Sequence, residues 1–368
     1  MSDISYDSAG VAYDILDTFK RLAQQNAGLT NDNVGHFKKI KPVFGTRGES
    51  VFLIDAGDSY IGHIEETLGT KNLVADRMYE LTGKSYYDHI AIDTVAAIIN
   101  DLISLGALPV SCAMHLAAGR SEWFEDEARV NDLVTGWKQA CDESMCVWGG
   151  GETPALKGIV EAGTVLLSGS AVGVIEDKTN LISGDISDGD AIVMVASHGI
   201  HANGLSLARM IAEKHPDGYG AKMSDGRGFG EGLLDASAIY VKLIKGCQDS
   251  GIKIKYASHI TGHGWRKIMR SSENFIYEID EVMEVHPVFN FIQEHSGFDD
   301  REMYETFNMG AGYMIIVPQE QAEAAVATAI ENGYIAKKIG QVRKEGDKKE
   351  VAIKPLGITF GGDELQVR

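Results

Sequence analysis

The sequence predicts an α/β (α+β) protein of two domains, on three observations. The chain has 368 residues, more than one compact core comfortably organises and about right for two. Short apolar runs of strand length alternate with longer stretches of helical periodicity. Several of those runs end in glycine-bearing loops that lead into a helix, an arrangement suited to anions. A polar stretch over residues 176–190, with Lys178, Gly184, Asp185, Asp188, Gly189 and Asp190, divides the chain. The expected boundaries are 1–175 for a first domain, 176–350 for a second and 351–368 for a C-terminal tail.

Composition excludes several classes. Apolar residues are 44% and charged residues 24% of the chain, as in soluble globular proteins. No run approaches the roughly 18 apolar residues of a membrane span. The segment Met1 to Asp7 has neither the basic nor the apolar part of a signal peptide, so a cytoplasmic location is expected. Cys112, Cys141, Cys146 and Cys247 show no C-x-x-C spacing and read as reduced thiols. The net charge of −19 argues against nucleic acid or an anionic membrane as partner. It leaves nucleotides open, because Mg²⁺ can bridge carboxylates and phosphates.

In the first half, Ile15, Leu16, Phe19 and Leu22 recur at helical spacing over Tyr13 to Ala23. Residues 28–50, with Lys38, Lys39 and Lys41, read as a mobile surface arm. Val51–Ile54 and Tyr60–Ile64 are predicted strands. Glu65 to Lys71 then gathers carboxylates, hydroxyls, Gly69 and a lysine; it lacks the spacing of a phosphate-binding P-loop, and a solvated loop is the simpler reading. Tyr86 to Leu105 is the clearest helix. His89, Asp93, Asn100 and Asp101 fall close to one line along it. A buried Asp101 needs a partner, either a cation or a cleft. Gly106 to Pro109 stops that helix, Val110–Leu116 is a strand, and Glu125–Asp142 is a helix. Met145–Trp148 is a strand that ends in Gly149, Gly150, Gly151, Glu152 and Thr153. Glycines permit close backbone approach to a phosphate, and a carboxylate suits its Mg²⁺; a plain tight turn is the alternative. Thr164–Ile175 returns to the sheet.

In the second half, Ala191–Ala196 is a buried strand. It leads through Ser197–Gly204, with His198, His201 and Asn203, into a helix from Leu205. That loop suits an anion, while capping by Asn203 or Ser206 is the structural alternative. The spacing does not support zinc. Residues 213–235 show no clean pattern. Ala236–Gln248 is a predicted helix, and Ile252–Ala257 a strand running into a second loop, His259–Arg266. Val288–His295 is a helix, Tyr313–Val317 a strand, and Gln319–Asn332 a helix. Ile339–Val342 and Val351–Ile353 are small closing strands.

Seven segments, taken in order, resemble those of one family. They are Ser5–Val11, Leu68–Lys71, Ile92–Leu102 with Gly106–Pro109, Gly150–Thr153, His201–Leu207, His259–Gly264 and Thr306–Gly310. The family is aminoimidazole ribonucleotide synthetase, the phosphoribosylformylglycinamidine cyclo-ligase of purine synthesis. The resemblance covers most of residues 5–345. It implies a two-domain PurM-like fold, with an N-terminal domain dimerising through a β-barrel and a C-terminal α/β domain. It implies ATP and Mg²⁺ as cofactors, K⁺ as a further candidate, a small ribonucleotide as substrate, and a homodimer. The implied reaction activates the amide oxygen of formylglycinamidine ribonucleotide by phosphoryl transfer and then closes the ring.

By the same resemblance, Lys71, Asp101 and His201 are the candidate catalytic residues. Gly69, Thr70, Lys71, Asn100, Gly149, Gly150, Gly151 and Thr153 would bind the nucleotide, and Glu66, Asp101 and Glu152 the metal. His201, Asn203, Ser206, Thr261, Gly262, Gly264, Thr306, Phe307 and Asn308 would bind substrate. The chain departs from the family where it has Glu66 for an aspartate, Thr67 and His263 for glycines, and Pro154 to Gly158 after the glycine run. It also lacks the acid of the family's strand at Cys112–Leu116. The alternative reading is a divergent member of the same superfamily with another amide substrate, or a non-catalytic nucleotide-binding subunit. Selenophosphate synthetase expects a reactive cysteine before Cys112. The hydrogenase maturation protein expects a C-terminal cysteine where this chain has Glu364–Arg368. The glutamine-dependent synthetase pairs with an amidotransferase, and the chain has no nucleophile elbow for one.

Overall fold

The computed structural model describes residues 13–365, and the Ser5–Val11 motif lies outside them. Two sheets carry the fold. The first contains β1 (Lys41–Pro42), β2 (Phe52–Asp55), β3 (Tyr60–Thr67), β4 (Leu108–Ala118), β5 (Val147–Glu152) and β6 (Val165–Ile175), in the order β1-β2-β3-β6-β4-β5. All neighbours are antiparallel except β4 and β5. Helices α1 (Tyr13–Gly28), α2 (Lys71–Thr82), α3 (Tyr87–Leu102) and α4 (Glu127–Glu143) accompany it. Helix α3 lies across β3 and β6, and α4 packs on α3.

Small residues allow that close seat. A Cβ at Gly169 would meet Ile98 Cδ1 at 2.9 Å, and one at Gly173 would meet Leu102 Cδ2 at 3.0 Å. The strand period of two explains the rest. On β3, Gly62, Ile64 and Glu66 turn toward α3, while His63, Glu65 and Thr67 are exposed. Val110, Leu166 and Val172 are exposed on the opposite face of the sheet.

The second sheet contains β7 (Ala191–Ala196), β8 (Tyr256–His259), β9 (Ile276–Ile279), β10 (Ala311–Val317), β11 (Ala336–Arg343), β12 (Glu350–Ile353) and β13 (Ile358–Gly361). Its order is β13-β12-β9-β11-β7-β10-β8. Strands β12 and β13 extend this sheet, so residues 351–361 belong to the C-terminal domain rather than to a tail. Around it stand α5 (Leu205–Lys214), α6 (Phe229–Leu233), α7 (Val241–Asp249), α8 (Pro287–Ser296), α9 (Asp300–Thr306) and α10 (Ala322–Glu331). Strand β10, paired on both sides by β7 and β8, is buried along its whole length, as an interior strand covered on both faces must be.

Local differences from expectation have physical reasons. The helix predicted from Ala236 begins only at Val241, because residues 235–240 form no regular element and give several backbone groups to side chains of α2 and α3. The arm over residues 28–50 is tied down at several points. Lys41–Pro42 pairs with β2, Arg47 donates to Asn31 Oδ1 (2.6 Å), and Arg270 donates to Ser50 Oγ (2.8 Å) and the Gly48 carbonyl (3.0 Å). Helix α2 went unpredicted. It opens at Lys71, directly after the loop.

The polar line on α3 is the seam between the domains. His89 Nδ1 donates to the Leu234 carbonyl (2.7 Å). Asp93 Oδ1 accepts from the Ser237 amide (2.8 Å) and hydroxyl (2.5 Å). Asn100 donates to the Ala238 carbonyl (2.8 Å) and accepts from the Tyr240 amide (2.9 Å). Lys71 Nζ closes the set, 2.7 Å from Asp93 Oδ2 and 2.8 Å from the Asp235 carbonyl, with both side chains fully buried. Removing one partner leaves a buried charge unpaired. Lys71→Met is therefore expected to lower the unfolding free energy by about 3–5 kcal/mol in urea titrations. Adding Asp93→Leu should recover a large part of that loss; two losses that simply add would contradict the pairing.

Candidate functional site

Two adjoining cavities open beside that seam. The inner one, about 210 Å³, is lined by Glu66, Asp101, His201, His259 and Lys267 among others. The outer one, about 460 Å³, shares Glu66, Asp101, Asn203, Thr261 and Lys267 and adds Lys20, Gly262, His263 and Arg270. A larger cavity, about 760 Å³, lies on the C-terminal domain between His215 and His295 and contains none of the residues that the sequence singled out.

Each wall follows from its element. Glu66 enters through the inward phase of β3. Asp101 comes from the last turn of α3. His259 ends β8, and Lys267 stands on the short 3₁₀ helix Gly264–Met269, where its ammonium donates to Thr261 Oγ1. Asp101 Oδ1 accepts from His259 Nδ1 at 2.8 Å. Burial alone would push the Asp101 carboxyl up. The Lys267 ammonium, the His259 hydrogen bond and Arg270 outweigh it and hold Asp101 well below the usual carboxylate range. Glu66 has no such hydrogen bond from a side chain. Burial, reinforced by the Asp101 charge, pushes it up to about 7. Burial lowers His259 and, further still, His201.

The structure gathers part of the predicted site and disperses the rest. Glu66, Gly69, Asp101, His201, Asn203, Thr261 and Gly262 line the cavities. Thr70 precedes α2, and Ser206 sits in the first turn of α5. Lys71, expected on a phosphate, is committed to Asp93 and Asp235. Asn100, expected at the nucleotide, fastens Ala238 and Tyr240. Gly149, Gly150, Gly151, Glu152 and Thr153 do not form a turn at this cavity; residues 147–152 are an exposed edge strand. The register runs from Glu66 to Gly169, Met114 and Gly151. Three strand spacings of about 4.8 Å thus separate the glycine run from β3 within one protomer. The glycines are needed for strand contact. A Cβ at Gly149 would collide with Ser111 Oγ, and one at Gly151 with the Met114 carbonyl. Among the described residues no three His, Cys, Asp or Glu side chains converge to hold a metal, so Glu152 does not join Glu66 and Asp101.

The expected substrate loops divide in the same way. Gly264 is a packing glycine with φ 52°, where a Cβ would collide with the Tyr304 carbonyl. Thr306, Phe307 and Asn308 are buried behind the His201 loop rather than in the cavity. Phe307 fills the space beside Gly204. Asn308 accepts from Ser197 Oγ (3.0 Å) and donates to the carbonyls of Gly199 (2.9 Å) and Ile200 (3.2 Å). Sequence reasoning missed His259, Lys267 and Arg270. His259 was visible as the head of its loop. The two cations carried no signal, since their meaning depends on which carboxylates face them.

A cavity at a domain seam, walled by two carboxylates, a lysine and an arginine, is the kind of concave place with convergent polar groups where proteins of two packed α/β layers commonly bind small molecules. Comparison with known proteins makes the class specific. Residues 65–175 match the family model for the N-terminal domain of AIR synthase related proteins, and residues 187–353 the model for their C-terminal domain. The phosphoribosylformylglycinamidine cyclo-ligase of Methanococcus maripaludis is 33% identical over 341 residues, covering 92% of each chain. That of Neisseria meningitidis is 31% identical over 364 residues, covering 96% of this chain and 99% of its own. The hydrogenase maturation protein HypE in complex with ATP shares the fold, with a TM-score of 0.53, 20% identity, and coverage of 74% of this chain and 78% of its own. The chain belongs to the AIR synthase related family.

The raised Glu66 has a pH consequence. Between its unfolded value near 4.5 and its folded value near 7, the native state holds a proton that the unfolded chain releases. Glu66 therefore costs stability increasingly as pH rises through that window, and the cost is complete above it. Glu66→Gln should raise the melting temperature clearly at pH 8 and hardly at pH 5. An equal gain at both pH values would refute the assignment.

Proposed function

We propose that the chain closes the imidazole ring of aminoimidazole ribonucleotide from formylglycinamidine ribonucleotide, at the expense of ATP, by phosphoryl activation of the amide oxygen. The observation that carries the reading is the cavity wall on which Glu66 and Asp101 face Lys267 and Arg270. That charge pattern suits a metal–phosphate group. It occurs in a chain that matches cyclo-ligases over nearly their whole length.

Glu66 and Asp101 would hold Mg²⁺. The fit rests on their mutual repulsion, which helps to raise Glu66, and Mg²⁺ is commonly bound by one or two carboxylates together with phosphates and water. When bound, the ion neutralises charge on the triphosphate. Lys267 and Arg270 bind and orient phosphate oxygens from the opposite wall, and Thr261 positions Lys267. His201 and Asn203 face the amide from the C-terminal domain. K⁺ is a further candidate cation.

The exposed Val110, Leu166 and Val172 on the outer face of the first sheet support a homodimer in which a second copy covers that face. Among the described residues no helix is long and apolar enough to cross a membrane, in keeping with a cytoplasmic enzyme. Phosphate release from ATP and Mg²⁺, followed together with imidazole formation, tests the reading. Release should require formylglycinamidine ribonucleotide and match product one for one. Asp101→Ala should lower kcat by about 10²-fold or more; unchanged turnover would remove Asp101 from the metal. Release driven by a different amide, and not by this ribonucleotide, would place the chain among divergent relatives.

A further inference from the structure

Two buried histidines in the inner cavity are held in complementary hydrogen-bonding states. His201 Nε2 lies 3.1 Å from the His198 amide nitrogen and 3.4 Å from that of Ala238. Both are backbone N–H donors, so Nε2 must accept. A neutral imidazole carries one proton, which is then on Nδ1. That Nδ1 is buried and has no hydrogen-bond partner among the described residues. Taking up a second proton would set an N–H against two N–H groups, so the ring stays neutral. The backbone supports this pinning at a cost, since His201 has φ 59°, a left-handed conformation that non-glycine residues seldom adopt and that clusters at functional sites.

His259 is fixed the other way round. The Asp101 carboxylate accepts from its Nδ1 at 2.8 Å, which leaves a lone pair on Nε2. That Nε2 is also buried and without a partner. The His259 ring is set against Tyr313, with centroids 6.2 Å apart and planes within 30°. The two histidine rings line the same cavity with their centroids 6.4 Å apart. Buried polar groups are normally paired, and unpaired ones call for a physical reason. On these two rings the unpaired atoms are one donor and one acceptor, on side chains that cannot exchange roles.

We propose that this pair recognises a substrate presenting one acceptor and one donor side by side. His201 Nδ1–H donates to the amide oxygen and His259 Nε2 accepts from the amidine N–H, which brings the two reacting groups together before ring closure. Both histidines thereby touch the reacting groups, and Asp101 is the positioning residue that sets the His259 tautomer. The assignment of the two groups rests on the cyclo-ligase reading; the fixed tautomers do not.

Long-range ¹⁵N–¹H spectra of the full chain carrying ¹⁵N-histidine test the pair, with His201→Asn and His259→Gln variants identifying the signals. The expected result is a neutral, Nδ1-protonated ring at both positions, His201 unchanged between pH 5.5 and 9. Formylglycinamidine ribonucleotide should shift His201 Nδ1 and His259 Nε2. An Nε2-protonated tautomer at either position, or titration of His201 in that range, overturns the pair. Failure of this ribonucleotide to bind overturns the assignment of the two groups together with the cyclo-ligase reading, while the tautomers still decide the pair. A kinetic comparison adds a second arm. The amide of asparagine reaches the place of Nδ1 and that of glutamine the place of Nε2. With melting temperatures matched, His201→Asn should stay within about tenfold of the parent kcat and His201→Gln should fall by about 10²–10³-fold. Equal losses would overturn the donor role.

Discussion

The structure depends on one buried ion pair, Lys71 with Asp93. Neither side chain touches solvent, so each charge is tolerable only because the other is present. The pair does more than neutralise itself. Lys71 also holds the Asp235 carbonyl, and Asp93 also holds Ser237. These contacts hold residues 235–240 along α3, where Asn100 grips Ala238 and Tyr240. The Ala238 amide, fixed in this way, reaches His201 Nε2. A charge pair in one domain thus sets the side-chain state of a histidine that belongs to the other. The seam and the site share one set of hydrogen bonds.

The cavity beside that seam separates its two carboxylates by environment. Asp101 is steadied by Lys267, by His259 and by Arg270, and it stays ionised. Glu66, on a strand end with burial and a like charge against it, sits near neutrality. Lys267, anchored on Thr261, confines its own charge to the opposite wall. The resulting gradient runs from carboxylates on the side of the first sheet to cations on the side of the second domain.

Much of this was legible in the sequence, though its meaning was often displaced. The long helix now labelled α3 was plain from its period, and so was the line His89, Asp93, Asn100 and Asp101. A buried Asp must have a partner, but the sequence does not say whether that partner is an ion, a ligand or another segment's backbone. Three of the four proved to hold backbone. The run Gly149–Gly151 was rightly read as a place of close approach. What approaches is the neighbouring strand, because an edge strand pressed on Ser111 and Met114 excludes a Cβ as firmly as a phosphate would. Lys71 read as a phosphate ligand because its partner Asp93 is remote in sequence. Asn308 and Phe307 read as substrate contacts, although their work is to brace the loop that carries His201. Lys267 and Arg270 could be identified only once β8 and the turn after it had been placed against α3.

The fastening of residues 234–240 to α3 also decides how the site is reached. Hinged enzymes commonly admit their substrates by swinging two domains apart. Here such a swing would strip the Asp93, Asn100 and Lys71 contacts from a dry seam all at once. A route that leaves the seam intact runs over the rim of the outer cavity, past Lys20, Gln24 and the Gly48–Ser50 turn, to which Arg270 donates two hydrogen bonds.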